Sequence, residues 1–309
     1  MERNKKYDVL LGQFLILEGK PKLYRIMAMR DIPSKGVQEG DFGGWVEGPD
    51  NLSQDDDCWI GDLAMVYGGA VVKGFAEVSG RAEICDKSTI QDHAIVSGNA
   101  VLKNVCLKGC ARVSGNAEVK NCILTDFASV IQDARVSSSE LNENAVINGH
   151  ATIYDSHLYG QVEVNDYAEL NNCMISGTCK VSHNAKVNAS TLKGGVMVCG
   201  NASVTSSDLY GKIVVNGDAE INKCTDLWGD NIVIGHNAVL YSDNYIVLGP
   251  LAEEACIIFY ISGREVLASV DDEVFSEPNE LIVHLDDKTR IPTRYLRKLV
   301  RSTMNMMRP

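Results

Sequence analysis

From Gly61 the chain falls into six-residue lines that all end alike: GDLAMV, YGGAVV, KGFAEV, SGRAEI, CDKSTI, QDHAIV and SGNAVL. Each line closes on an aliphatic residue, giving the column Val66, Val72, Val78, Ile84, Ile90, Val96, Leu102. Two places earlier stands a small residue: Ala64, Ala70, Ala76, Ala82, Ser88, Ala94, Ala100. Alternation over three residues predicts a short strand, and the Gly, Asn and Asp between lines predict turns. A short fixed period of this kind specifies a solenoid, because each unit can bury its apolar edge only against its neighbours.

From Lys103 one line in three loses a residue, so the period becomes 17: KNVCL, KGCARV, SGNAEV, then KNCIL, TDFASV, IQDARV, and onward to NGDAEI at 216–221. The new period aligns Ala117, Ala134, Ala151, Ala168, Ala185, Ala202 and Ala219 in one column. Leu107, Leu124, Leu141, Leu158, Ile175, Leu192 and Leu209 form another. A third holds small or thiol residues: Val105, Cys122, Ser139, Ser156, Cys173, Ser190, Ser207 and Cys224. Three short strands per coil predict an all-β, single-stranded parallel β-helix of triangular section, with roughly ten coils over 61–240 at the usual strand spacing. Ala, Ser and Cys then occupy corners too tight for larger side chains. Asn104, Asn121, Ser138, Asp155 and Asn172 fall at the shortened corner, where Asn tolerates left-handed backbone angles and can hydrogen-bond along the stack.

A solenoid needs its open ends covered, or its strand edges template aggregation. Residues 1–60 are expected to form an N-terminal β cap and the lead into the helix, with FLILEG and KLYRIMAMR as a strand pair. The β-helix then runs over 61–249. Residues 250–309 leave the repeat and are expected to form an α+β cap. There CIIFYIS, EVLASV and ELIVHL read as strands and TRYLRKLVRSTMNMM as an amphipathic helix.

Composition narrows the function classes. A formal net charge of -12 argues against nucleic-acid binding, which needs a basic surface. No apolar run reaches membrane-spanning length, and the charged start MERNKK lacks a signal-cleavage pattern, so a cytoplasmic location is expected. The 10 cysteines do not make a dense disulfide framework; several fall on interior columns as small buried thiols. They form no CxxC pair, and no metal site is expected.

The series DFGGWVEGPDNLSQDDDCWIGDLAMVYGGA at 41–70, just before the hexads, resembles the YdcK-like family of hexapeptide-repeat proteins, known from phages, prophages and enteric bacteria. The resemblance covers about residues 23–240. It implies a left-handed parallel β-helix and carries a transferase label that rests on fold analogy. The five-residue rung is also shared with the triangular right-handed helices of bactofilin polymers, so either hand stays open at this point, as does a self-polymerising structural protein.

Hexapeptide enzymes of this resemblance are acyltransferases, in which a His removes a proton from the acceptor. His93, His150, His183 and His236 fall at exposed corners. His157 points outward from a flat face one coil from Glu140, and is the candidate base with Glu140 orienting it, acyl-CoA being the co-substrate in that case. The interruption NKCTDLWGDNIVI at 222–234 either closes a pocket with Trp228 or begins the cap. Apart from an acyl-CoA substrate, no cofactor is expected.

The outward columns offer a second reading. Glu118, Arg135, Glu169 and Lys186 alternate in sign and should pair across coils. Ile123, Met174 and Cys106 are too apolar for a purely solvated face, Tyr154 stands at its edge and Tyr159 and Tyr210 protrude at coil starts; Ile123, Met174, these tyrosines and Trp228 are candidate contact residues. At the C-terminus Lys288, Arg290, Arg294, Arg297, Lys298, Arg301 and Arg308 follow an acid-rich stretch; Arg294, Arg297 and Arg301 are contact candidates, against a helix docked on its own neighbours. The reading favoured from sequence is a non-enzymatic, rigid scaffold that binds a host protein, for example as an inhibitor, or itself as a homo-oligomer such as a trimer. Acyl transfer is the alternative.

Overall fold

The computed structural model describes residues 5–307 except 236, 237, 243, 252–254, 263, 264, 271, 272, 289 and 290. His236, Arg290 and Arg308 therefore lie outside the described residues. The fold is an all-β parallel β-solenoid of about 11 turns with a C-terminal helical region. By compactness the chain divides into two units, Met1–Gly160 and Gln161–Pro309.

The first unit opens with a cap. β1 (Tyr7–Leu15) and β2 (Leu23–Ala28) pair antiparallel, and β2 pairs antiparallel with β3 (Phe42–Val46). β3 in turn pairs in parallel with Met65–Val66, which converts the meander into the first coil. This explains the Gly-Gly of the FGGWV segment. A Cβ on Gly43 would lie 2.6 Å from both the Ile26 side chain and the Ile60 carbonyl. One on Gly44 would lie 2.6 Å from the Ala64 carbonyl, so only glycine allows β3 this close to the coil. Asn51 is buried, accepting from the Gly48 N–H at 2.9 Å and donating to the Ala70 carbonyl at 2.8 Å.

Each 17-residue coil carries three strands, as in Cys106–Leu107, Arg112–Val113 and Glu118–Lys120. Every strand pairs with its equivalent one period on: Cys106 with Ile123, Arg112 with Ser129, Glu118 with Arg135. The expected columns are buried. Ala117, Ala134, Ala151, Leu107, Leu124, Leu141 and Leu158 in the first unit are inaccessible, as are Ala168, Ala185, Ala202, Ala219, Ile175, Leu192 and Leu209 in the second. Each buried aliphatic side chain contributes about 1.5–3 kcal/mol of apolar transfer energy.

The shortened corner is closed by side chains. The residue that makes the turn has φ between +47° and +55° at Asn104, Asn121, Ser138, Asp155, Asn172, Ala189, Ser206 and Lys223. Asn104 Nδ2 donates to Asn121 Oδ1 at 3.0 Å, as the stacking argument requires. Inside the same corner, Ser139 Oγ donates to the Ser137 carbonyl at 2.7 Å and accepts from the Ser156 N–H at 3.1 Å. Ser190 repeats this with Asn188 at 2.7 Å and Ser207 at 3.1 Å, and Ser207 with Thr205 at 2.7 Å and Cys224 at 3.1 Å. A backbone N–H left without a carbonyl by the missing residue is thus satisfied by a hydroxyl. The thiols Cys122 and Cys173 donate to Lys120 and Asn171 carbonyls at 2.9 and 3.2 Å.

In the second unit the strands Tyr245–Leu251, Ala255–Ser262, Glu265–Val270 and Glu273–Phe275 form an antiparallel sheet. CIIFYIS and EVLASV are strands as expected, but ELIVHL is not. It lies in helix α1 (Pro278–Lys288). The run of Leu281, Val283 and Leu285 looks alternating, yet Leu281, Ile282 and Leu285 are buried while Val283 is exposed, the spacing of a helix face. Pro278 opens the helix, where its missing N–H costs nothing. α2 (Thr293–Met307) buries Leu296, Val300, Met304 and Met307 in one core with Leu281, Leu285, Phe259 and Phe275.

Candidate functional site

On the outward face of the first unit, Glu140 and His157 occupy adjacent rungs in register. His157 Nδ1 lies 3.4 Å from Glu140 Oε2, with the two side chains half-exposed. Two further groups converge on that carboxylate. Tyr159 OH donates to Oε2 at 3.2 Å, and Asn142 Nδ2 donates to Oε1 at 3.2 Å. Asn142 is itself held, its Oδ1 accepting from Thr125 Oγ1 at 2.7 Å. The His157 and Tyr159 rings stack nearly parallel, with centroids 6.4 Å apart.

The backbone dictates this convergence. Residues two apart on a strand share a face, and parallel coils place position i beside i+17, so 140, 142, 157 and 159 form a two-by-two patch. Strand His157–Gly160 extends to four residues, which keeps Tyr159 on the face. The hydrogen bonds from Asn142 first, then those from Tyr159 and His157, hold the Glu140 carboxyl below its ordinary range despite partial burial. Desolvation and the Glu140 charge push the Tyr159 phenol up. The result is a carboxylate that stays ionised, beside an imidazole nitrogen, on a rigid surface. In the tautomer that carries Nδ1–H toward Glu140, the lone pair of Nε2 is left to accept a proton.

Sequence reasoning paired His157 with Glu140 but missed Tyr159 and Asn142 as partners of the same carboxylate. The signal was present: both stand two residues beyond a member of the pair.

The other candidates take no part in these hydrogen bonds, although Ile123 borders the patch. Ile123 is exposed one rung before Glu140 and borders a depression of about 330 Å³ lined also by Lys87, Thr89, Asn104, Cys106 and Asn121. Tyr154 ends a strand on a different face, in register with Ser137, and is exposed. In the second unit Met174 is exposed, and Tyr210 pairs in register with Trp228, which is 65% exposed. The interruption at 222–234 is a strand, Leu227–Ile234, lengthened by one residue before Leu227 and another before Ile232. Trp228 stands outward on that strand.

Arg294 and Arg297 are exposed on α2, Arg294 stacking on the Tyr295 ring at 4.6 Å. Arg301 donates to Asn279 Oδ1 of α1 at 3.0 Å, which favours the docked-helix reading for that residue. The predicted ion pairs form, with Arg135 3.8 Å from Glu118 and Lys186 3.2 Å from Glu169. Among the described residues no cluster of His, Cys, Asp and Glu could hold a metal ion. Among them too, no helix is long and apolar enough to cross a membrane.

Residues 126–191 match the family described as GlmU-like, C-terminal hexapeptide. The matched stretch contains Glu140, Asn142, His157 and Tyr159, and it supports a hexapeptide repeat. No curated protein matches the chain.

Proposed function

We propose that this hexapeptide-repeat protein is an acyl-CoA-dependent acyltransferase in which His157 is the general base. The observation that carries the reading is the 3.4 Å approach of His157 Nδ1 to a carboxylate already fixed by Tyr159 and Asn142. In this reaction Nε2 takes the proton from an acceptor hydroxyl or amine, whose heteroatom attacks the thioester carbonyl. The tetrahedral oxyanion collapses by breaking the C–S bond, and the imidazolium returns the proton to the departing thiolate. Glu140 holds the tautomer and steadies the imidazolium. The flat setting calls for a second wall, which a neighbouring copy of the chain would supply in a homo-oligomer.

The test is calorimetric titration with acetyl-CoA, followed by release of free thiol with simple amine and hydroxyl acceptors. His157→Ala should bind acetyl-CoA like the wild type and lose about 100-fold or more in turnover. Failure of the wild type to bind acetyl-CoA at millimolar concentration would sink the proposal.

The second reading, a rigid scaffold for a protein partner, is favoured by a different observation. Trp228, Met174 and Ile123 are exposed on strands whose backbone is fixed by ladders, so little ordering entropy opposes docking. The YdcK-like kinship and a phage or enterobacterial setting belong to this proposal. Sedimentation of the protein alone and of Trp228→Ala separates self-association from a monomer awaiting a partner.

A further inference from the structure

The N-terminal cap contains a buried lysine beside a buried thiol. Lys6 is 0% exposed, and so is Cys58. The Lys6 ammonium donates to the carbonyls of Asp55 and Asp56 at 3.2 Å each and of Cys58 at 3.0 Å, which places Nζ 3.1 Å from Cys58 Sγ. The two ends of the contact are fixed independently. The Lys6 N–H donates to Gln54 Oε1 at 2.9 Å, Gln54 Nε2 returns a bond to the Tyr7 carbonyl at 3.0 Å, and the Lys6 carbonyl accepts from Met29 N–H at 2.9 Å. Tyr7 OH donates to the Leu52 carbonyl at 2.6 Å. Cys58 leads directly into the strand Trp59–Ile60. Neither side chain takes part in the patch around His157.

An isolated lysine buried to this degree is expensive, and a loop of carbonyls alone would hold it without a sulfur in the shell. Here the ammonium also donates to Cys58 Sγ at 3.1 Å, and backbone holds both sides of that contact.

We propose that Lys6 and Cys58 form a reversible covalent staple, a sulfenamide between Nζ and Sγ, when the protein meets a hydroperoxide. The thiol attacks one peroxide oxygen; the O–O bond breaks, sulfur is oxidised by two electrons to the sulfenic acid, and one water leaves. Nζ then attacks sulfur and the S–O bond breaks. The departing hydroxide takes one ammonium proton to form a second water, and another proton is released. The sum is thiol, ammonium and hydrogen peroxide giving S–N, two waters and a proton. Condensation of a sulfenic acid with an adjacent nitrogen is established cysteine chemistry. Burial lowers the proton affinity of Lys6, which favours the neutral amine the second step needs, while it pushes the Cys58 thiol up, which makes the first step the slow one. An external thiol attacks sulfur, releases the amine and restores both side chains.

The bridge would tie residue 6 to the first coil and replace a contact that depends on charge with one that does not. The experiment is peptide mapping of the full chain after hydrogen peroxide, with thiols blocked and no reductant. The expected product is a Lys6–Cys58 linked peptide lighter by two hydrogens than its parts, resistant to trypsin after Lys6, and separated by dithiothreitol. Cys58→Ser and Lys6→Arg should both lack it. Because those variants remove cap contacts, a second arm treats the wild type unfolded in guanidinium, where the link should be absent while Cys58 is still oxidised. Cys58 carrying one or more oxygens beside an unmodified Lys6 in the folded protein, Cys58 left unoxidised, or a bridge that retains an oxygen each overturns the proposal.

Discussion

The corner that follows the five-residue rung is built in two ways. Over 108–144 its turn residue is Gly109, Asp126 or Glu143, with φ of +70°, +59° and +57°. Over 176–212 the same position is Gly177, Gly194 or Gly211, with φ of +93°, +102° and +103°. The first set lies in the left-handed basin that Asp and other residues can enter at modest cost; the second lies where a side chain is strained whatever the space. Close stacking of successive coils adds to the strain there. A Cβ on Gly177 would sit 2.6 Å from the Gly194 carbonyl oxygen, and one on Gly194 would sit 2.9 Å from that of Gly211. In that region the strands run on into the corner, as in Met174–Gly177 and Thr191–Gly194, whereas Ile123–Leu124 and Glu140–Leu141 stop short of it. The same 17-residue period thus accommodates two turn geometries, and a single dihedral decides which residues are admissible.

The sharpest way to break this comparison is to place the same side chain in both regions. Gly177→Ala should destabilise by about 3 kcal/mol or more, from backbone strain and the clash together. Glu143→Ala, in the equivalent position but within the left-handed basin, should change stability by less than about 1 kcal/mol. Chemical denaturation of the two variants reads the contrast, and equal losses would show that the corners are not distinct. The shortened corner provides the next largest effect. Ser207→Ala strips the Cys224 N–H of its acceptor inside the corner and should cost about 1–3 kcal/mol by the same measurement.

Ala189 sharpens the comparison in the opposite direction. It holds φ +47° in a column otherwise supplied with Asn, Asp, Ser and Lys, so Ala189→Asn should stabilise by about 0.5–1 kcal/mol, seen as a higher Tm. The smallest effect belongs to Glu140. Its carboxyl is depressed by its hydrogen bonds, so its contribution is present above the ordinary carboxylate range and is lost as pH falls through the depressed value. On a half-exposed face that contribution is about 0.5 kcal/mol. Glu140→Gln should flatten the corresponding stretch of the stability–pH curve; an unchanged slope would show that the network is not coupled to folding.

These contrasts also explain how much was legible beforehand. Columns such as Leu107 to Leu209 could be read off the chain because a solenoid repeats each environment at a fixed interval, and local pattern and tertiary position coincide. The pairing of Glu140 with His157 followed from the same interval. Tyr159 and Asn142 needed one more step, the two-residue offset along the strand combined with the coil interval. Where the interval ends, the reading weakens: LIVHL satisfies both a strand and a helix pattern, and only the sheet it packs on selects the helix. Lys6 was least legible of all. A lysine in a charged opening stretch reads as solvated, and its burial depends on carbonyls some fifty residues away that no local pattern marks.

The amide chains at the corners have a direction. Asn99 donates to Asn116 at 2.9 Å and Asn116 to Asp133 at 2.8 Å; Asn184 donates to Asn201 at 3.0 Å and Asn201 to Asp218 at 2.8 Å. Each link spans one period, so the protein's length is quantised. Excising residues 182–198 would join Val181 to Cys199, which inherits the place of Ser182, and would return every later residue to an equivalent position. Removing one residue fewer inside a strand would turn the rest of that strand's buried side chains toward water unless the next corner took up the difference. Genes for such a chain can therefore lengthen or shorten in whole coils, and by single residues only where a corner absorbs them, as before Leu227.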